Sequence, residues 1–131
     1  MGAKIRKNFD ISKKKTNFVP KIDGIMQNMI TLAQMEAVSL LLSAKQNIVI
    51  FTHLSPDGDA MGSSLGLFHY LHLLGKKATI IVPNRFPPFL AWMPGADEIL
   101  AFDEQSEEAK AAVKEADLAF CLDFNEPKRI G

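Results

Sequence analysis

Apolar residues along this chain fall into two rhythms. Between residues 25 and 45 they recur at helical spacing, through Ile25, Met26, Met29, Ile30, Ala33, Ala37, Val38 and Leu40 to Leu42, with no Gly or Pro inside. That pattern predicts a helix packed on a sheet, with Met26, Met29 and Met35 as core filler. Residues 47–52 read differently. Ile48-Val49-Ile50-Phe51 is an unbroken apolar run, as expected of a parallel strand buried on both faces. Residues 60–74 return to a helix closed by Gly75, and 77–82 form a second strand. The stretch 83–88 carries Pro83, Pro87 and Pro88 and fits neither helix nor ladder. A Pro94-Gly95 turn, a short strand at 98–102, a surface helix at 104–115 and a last strand at 117–122 complete the pattern. This order predicts an α/β fold, a parallel sheet flanked by helices, with 47–52 and 117–122 as adjacent central strands.

In such sheets ligands bind beyond the carboxyl ends of the strands. Both apolar strands run out into metal-type residues. The first is followed by His53, Leu54, Ser55, Pro56, Asp57, Gly58 and Asp59, three potential metal ligands in seven positions, and the last by Asp123. A neutral imidazole suits Mn, Fe or Zn, while two carboxylates add hard oxygen donors and the negative charge to hold two cations close together. A zinc site would more typically use thiols or further histidines. Gly58 lets the backbone turn between the carboxylates, so that Asp57 and Asp59 address one small volume.

The same residues also spell a generic turn, with Asp59 as N-cap of the following helix. His53 has no role in a turn and tips the reading toward metal. An EF-hand loop needs a third acidic position and a late Glu, which Met61 and the Ser-rich stretch after it do not supply. At the start of the helix, Gly62 and Gly66 each cost about 1 kcal/mol relative to Ala. They imply close backbone approach to the sheet or to a bound phosphate. Ser63 and Ser64, together with Arg85 at the exit of the second strand, are the candidate substrate contacts. His69 and His72 lie a turn or more from the motif and read as packed or surface histidines.

Composition narrows the class without changing this picture. The 131 residues, 47% hydrophobic and 23% charged, are the size of one soluble domain with a packed core. Cys121 is the single cysteine, which excludes a disulfide framework and, in an apolar strand, reads as a small buried thiol. No apolar run is long enough for a membrane span and no signal-peptide core is present, which predicts a cytoplasmic protein. Net charge is zero but unevenly placed: residues 1–21 hold seven Lys and Arg against Asp10, and the remainder carries the compensating acidic excess. Residues 1–24 therefore read as a basic, flexible leader without a specific partner.

With these residues in hand, a resemblance can be stated. Residues 53–63, His-Leu-Ser-Pro-Asp-Gly-Asp-Ala-Met-Gly-Ser, resemble the first motif of the DHH phosphoesterase superfamily. Leu118 to Asp123 resemble its second, an apolar strand ending in a metal-bridging Asp. The arrangement is most similar to the bifunctional oligoribonuclease and phosphoadenosine-phosphate phosphatase group, over residues 25–131. The resemblance implies two Mn²⁺ ions, with His53 and Asp57 on one, Asp59 on the other and Asp123 bridging both. It also implies hydrolysis by an activated water of short oligonucleotides, phosphoadenosine phosphate or signalling dinucleotides, and a homodimeric full-length protein. The family's third motif, Asp-His-His, a later Asp ligand and the C-terminal substrate domain do not occur in these residues. The expectation is thus the N-terminal portion of a longer DHH-type catalytic domain. A non-catalytic nucleotide-binding or regulatory module is the alternative, and a structural α/β domain that binds no metal is a third reading.

Overall fold

The computed structural model describes residues 30–130. The basic leader, Met26, Met29 and the start of the first expected helix lie outside them. The chain divides into two compact units, Met1–Leu40 and Leu41–Gly131. Helix α1 (Leu32–Ala44) begins in the first. It starts where a local signal says it should: the Thr31 N–H donates to Gln34 Oε1 at 2.8 Å and the Gln34 N–H donates to Thr31 Oγ1 at 3.2 Å. That reciprocal pair satisfies two of the donors a helix start leaves open. No residue of α1 is buried. Met35, expected as core filler, is 49% exposed, which corrects that expectation.

The second unit is built on a sheet of β1 (Asn47–Phe51), β2 (Lys77–Val82), β3 (Leu100–Ala101) and β4 (Leu118–Cys121). Their order is β3-β2-β1-β4 and every pairing is parallel. Helices α2 (Gly58–Leu73) and α3 (Ser106–Glu115) follow β1 and β3. The expected α/β sheet is therefore present, with β2 at its expected bounds and the other strands one or two residues shorter at one or both ends.

Alternation along β1 explains the layering. Ile48 and Ile50 pack with Ile80, Val82 and the α2 residues Met61, Leu65, Phe68 and Leu71 in the larger core, while Val49 packs with Ile81 and Ala109 of α3 in the smaller one. Each fully buried aliphatic side chain contributes roughly 1.5–3 kcal/mol. The central strand is thus fixed from both faces. Leu42, near the end of α1, adds partly buried packing to the larger core.

Two expectations about β4 need correction. It does neighbour β1, but it is the edge of this four-stranded sheet, not a central strand. Its burial alternates instead of being continuous. Leu118 and Phe120 pack on the larger core, whereas Ala119 and Cys121 face the side on which α3 lies against β1 and β3. Cys121 is accordingly exposed and not a buried thiol.

Gly62 and Gly66 do not approach the sheet closely, since a Cβ at either would meet no protein atom within 4 Å. Gly95 is a glycine that the fold requires. Its φ is +83° and an added Cβ would lie 3.2 Å from the His69 ring, whose Nε2 is 2.8 Å from the Pro94 carbonyl oxygen. His69 and His72 both lie against the Phe68 ring, at centroid distances of 5.3 and 4.1 Å, as packed surface histidines. Among the described residues no helix is long and apolar enough to cross a membrane.

The amino ends of β1 and β4 are joined by one carboxylate. Gln46 N–H donates to Asp117 Oδ2 and Asn47 N–H to Asp117 Oδ1, both at 3.1 Å. Replacing Asp117 with Ala removes both acceptors and should lower unfolding stability by about 1 kcal/mol. Asp117→Asn, which keeps one acceptor, should lose less. Urea denaturation of the two variants measures this, and equal midpoints for wild type and Asp117→Ala would refute the role of the latch.

Candidate metal centre

Register places the candidate ligands. Phe51 pairs with Cys121, and the Leu122 N–H donates to the Phe51 carbonyl at 2.9 Å, so β1 and β4 end side by side. Two residues further along each chain stand His53 and Asp123. Their side chains meet, with His53 Nε2 at 3.4 Å from Asp123 Oδ2. Asp57 arrives from the start of α2. One ligand atom from each of His53, Asp57 and Asp123 lies within 4.8 Å of the others.

His53 is 5% exposed and its tautomer is set by its surroundings. Nδ1 lies 2.8 Å from the Leu54 carbonyl oxygen. A carbonyl only accepts, so Nδ1 carries a proton, and Nε2 is the nitrogen that faces the carboxylates. An imidazole held by one nitrogen and open at the other is the usual arrangement of a metal-ligating histidine.

The loop around it is pinned on two sides. Leu54 N–H donates to the Arg129 carbonyl and Ser55 N–H to Asn84 Oδ1, each at 2.6 Å. Ser55 and Asp123 both hold left-handed backbone, at φ 54° and 61°. Side-chain-bearing residues seldom adopt that conformation, and such strain gathers at functional sites.

Asp57, not Asp59, caps the helix. Its Oδ1 accepts from Asp59 N–H at 3.1 Å and Ala60 N–H at 3.0 Å. Chiefly through the Ala60 bond, and with help from Asp59 N–H and the charges of His53 and Arg129, the Asp57 carboxyl is held below its ordinary value. The cap leaves Oδ2 unused. One carboxylate can therefore finish the helix and hold a cation.

The remaining candidates are dispersed. Asp59 sits exposed on the first turn of α2, and its carboxylate is outside the three-residue group. Ser63 is exposed with Oγ donating to the Ala60 carbonyl at 3.2 Å. Ser64 is fully buried and its hydroxyl has no hydrogen-bond partner among the described residues. Arg85 is ion-paired, with Nη1 2.8 Å from Glu104 Oε2. The donor set of one imidazole nitrogen and two carboxylates fits a divalent cation of the Mn, Fe or Zn type.

Comparison with known proteins bears on the fold and the family. The profile of the DHH family, N-terminal domain, matches residues 47–131. Over 66 residues the chain is 44% identical to the bifunctional oligoribonuclease and PAP phosphatase NrnA of Thermus thermophilus, a match covering 50% of this chain and 20% of that protein. The crystal structure of an exopolyphosphatase-related protein from Bacteroides fragilis superposes with a TM-score of 0.75 at 48% identity, covering 77% of this chain and 30% of that one. The chain thus matches a fifth of one relative's length and under a third of the other's.

The cap generates a pH prediction. The Asp57 pKa is lowered in the fold from an ordinary 3.8. Its contribution to stability is therefore complete above that value and is lost as pH falls through the lower folded value. In metal-free protein, wild type should unfold at higher denaturant than Asp57→Ala at pH 7, and this margin should shrink below about pH 4. Asp57→Asn, a good cap at any pH, should show no such loss. A margin over Asp57→Ala that is constant from pH 7 to 3 would contradict the assignment.

Proposed function

Because this chain belongs to the DHH family over its N-terminal domain, we propose that it is the N-terminal part of a cytoplasmic, metal-dependent phosphoesterase. Its substrates are short oligonucleotides or nucleotide phosphates. The observation that carries this reading is the convergence of His53, Asp57 and Asp123 beyond the ends of two neighbouring parallel strands. That position is where α/β sheets bind ligands. The names of the relatives, an oligoribonuclease and PAP phosphatase and an exopolyphosphatase-related protein, support phosphate-directed chemistry.

The donor geometry supports roles for three residues. His53 offers Nε2, with Nδ1 tied to the Leu54 carbonyl, so the imidazole cannot turn away. Asp57 offers the oxygen its cap does not use. Asp123 has two oxygens, which suits it to bridge. Asp59, which lies outside this group, is assigned to a second cation on the motif resemblance alone. Divalent ions, with Mn²⁺ preferred, would supply Lewis acidity, lowering the pKa of a water and neutralising charge on the phosphoryl oxygens. The protein's own part is to hold its carboxylates close and ionised, and Asp57 is held so by the N-terminus of α2.

The decisive variant is Asp59→Asn in the full-length protein. The helix cap rests on Asp57, so this substitution leaves the cap intact. Hydrolysis of a short oligoribonucleotide or phosphoadenosine phosphate with Mn²⁺ should be abolished while the unfolding midpoint is kept or raised. Retained turnover with unchanged metal content would remove Asp59 from the site. Metal binding without hydrolysis of any phosphoester by wild type would favour the non-catalytic nucleotide-binding module instead.

A further inference from the structure

The two most exposed aromatic side chains among the described residues sit three positions apart on the segment that leaves β2. Phe89 is 74% and Trp92 76% exposed, and Trp92 is the only tryptophan of the 131 residues. Pro87 and Pro88 open a 3₁₀ turn, Pro88–Leu90, with backbone angles already set for it. Hydrogen bonds to the third residue back continue past the turn, from the N–H groups of Leu90, Ala91 and Met93 to the carbonyls of Pro87, Pro88 and Leu90 at 3.0, 3.1 and 3.2 Å. In that geometry residues three apart eclipse. Leu90 and Met93 accordingly turn into the larger core, and Phe89 and Trp92 share the outer side.

This segment lies against the loop from His53 to Asp59 at two points. Asn84 Oδ1 accepts the Ser55 N–H at 2.6 Å, and Leu90 Cδ2 is 3.9 Å from where a Cβ on Gly58 would stand, between Asp57 and Asp59. The rings are therefore carried on backbone fixed to the same loop that supplies His53 and Asp57, beyond the carboxyl end of β2, which neighbours β1. Apolar side chains exposed singly need no explanation. Two large rings on one side of a stiff turn are different, because little conformational entropy is lost when a flat partner covers them. Every nucleobase offers such a face, whatever its identity.

Building on the phosphoesterase reading, we infer that Phe89 and Trp92 form a stacking platform for unpaired bases of an oligonucleotide whose phosphodiester is brought to the His53, Asp57 and Asp123 group. The rings hold the strand by its bases and have no part in metal ligation. Such a platform selects nucleic acid as a class and is indifferent to sequence. An inorganic polyphosphate, which has no base, gains nothing from it.

The test compares wild type, Trp92→Phe and the double variant Phe89→Leu with Trp92→Leu in the full-length protein, each checked for folding by its denaturation midpoint and sized by sedimentation. Two probes are titrated in Mn²⁺: a short oligoadenylate with phosphorothioate linkages, which resist cleavage, and an abasic strand of the same length and linkage. The double variant should bind the oligoadenylate about tenfold or more weakly, with its affinity for the abasic strand unchanged. Trp92→Phe, which keeps a ring, should retain most of the wild-type affinity. The fluorescence that Trp92→Phe removes should be the part that oligoadenylate quenches in wild type. Equal oligoadenylate affinity in wild type and double variant, or no quenching of Trp92, overturns the inference. So does a matched loss for the abasic strand, or a wild-type dimer that comes apart in the double variant, which would mark the rings as an interface between copies of this chain. If the double variant does not fold, the quenching in wild type decides. If wild type hydrolyses no phosphoester yet oligoadenylate binding still depends on the rings, the proposed activity fails and this inference stands. If unmodified oligoadenylate is hydrolysed and binding ignores the substitutions, the inference alone fails.

Discussion

Parallel pairing of β1 with β4 is the constraint on which the site depends. Four residue pairs, from Ile48 with Leu118 to Phe51 with Cys121, decide where each strand stops relative to the other. A slip of one residue would turn the side chains beyond the strand end to the opposite face. His53 and Asp123 would then no longer meet. The register is secured at both ends, by the Asp117 carboxylate on Gln46 and Asn47 at the start and by the Leu122 N–H on Phe51 at the finish. The hydrophobic layers on the two faces of β1 hold the strand itself, so core packing and site geometry are not separable.

The parts legible in the sequence are those written in local pattern. An unbroken apolar run announced β1 as a strand buried on both faces, and the spacing of His53 and Asp57 pointed to two of the residues that the fold brings together with Asp123. What stayed hidden depends on pairing between distant residues. Whether β4 is central or at the edge is a matter of strand order, which no property of residues 118–121 encodes. The exposure of Cys121 follows from that order. Gly62 and Gly66 show the limit of reasoning from cost alone, because the helix tolerates them on an open face. Arg85 illustrates the same point, since only tertiary structure reveals that it is paired with Glu104. One further signal was local and readable, the Thr31-x-x-Gln34 box at the start of α1.

A cap and a ligand looked like rival explanations for the acidic residues after Pro56. The structure shows one carboxylate compatible with both. Asp57 uses Oδ1 on two backbone donors and keeps Oδ2. This sharing has a physical merit: the helix N-terminus favours the ionised form that a cation requires. The hydrogen bonds from Ala60 and Asp59 also limit rotation of the carboxyl group. The geometry is in large part set by the folded chain itself, through the same bonds that start α2.

Asp123 carries a different kind of tension. Its backbone lies in the left-handed region at φ 61°, which costs most residues with a Cβ roughly 1–2 kcal/mol and aspartate somewhat less. Glycine would relieve that strain, and asparagine tolerates it better than most residues. Any laboratory selection of this protein for thermal robustness alone would therefore be drawn to position 123 and would replace the carboxylate it finds there. Stabilisation campaigns on this scaffold should hold position 123 fixed, because the change that most eases the backbone would also remove a carboxylate from the group it forms with His53 and Asp57.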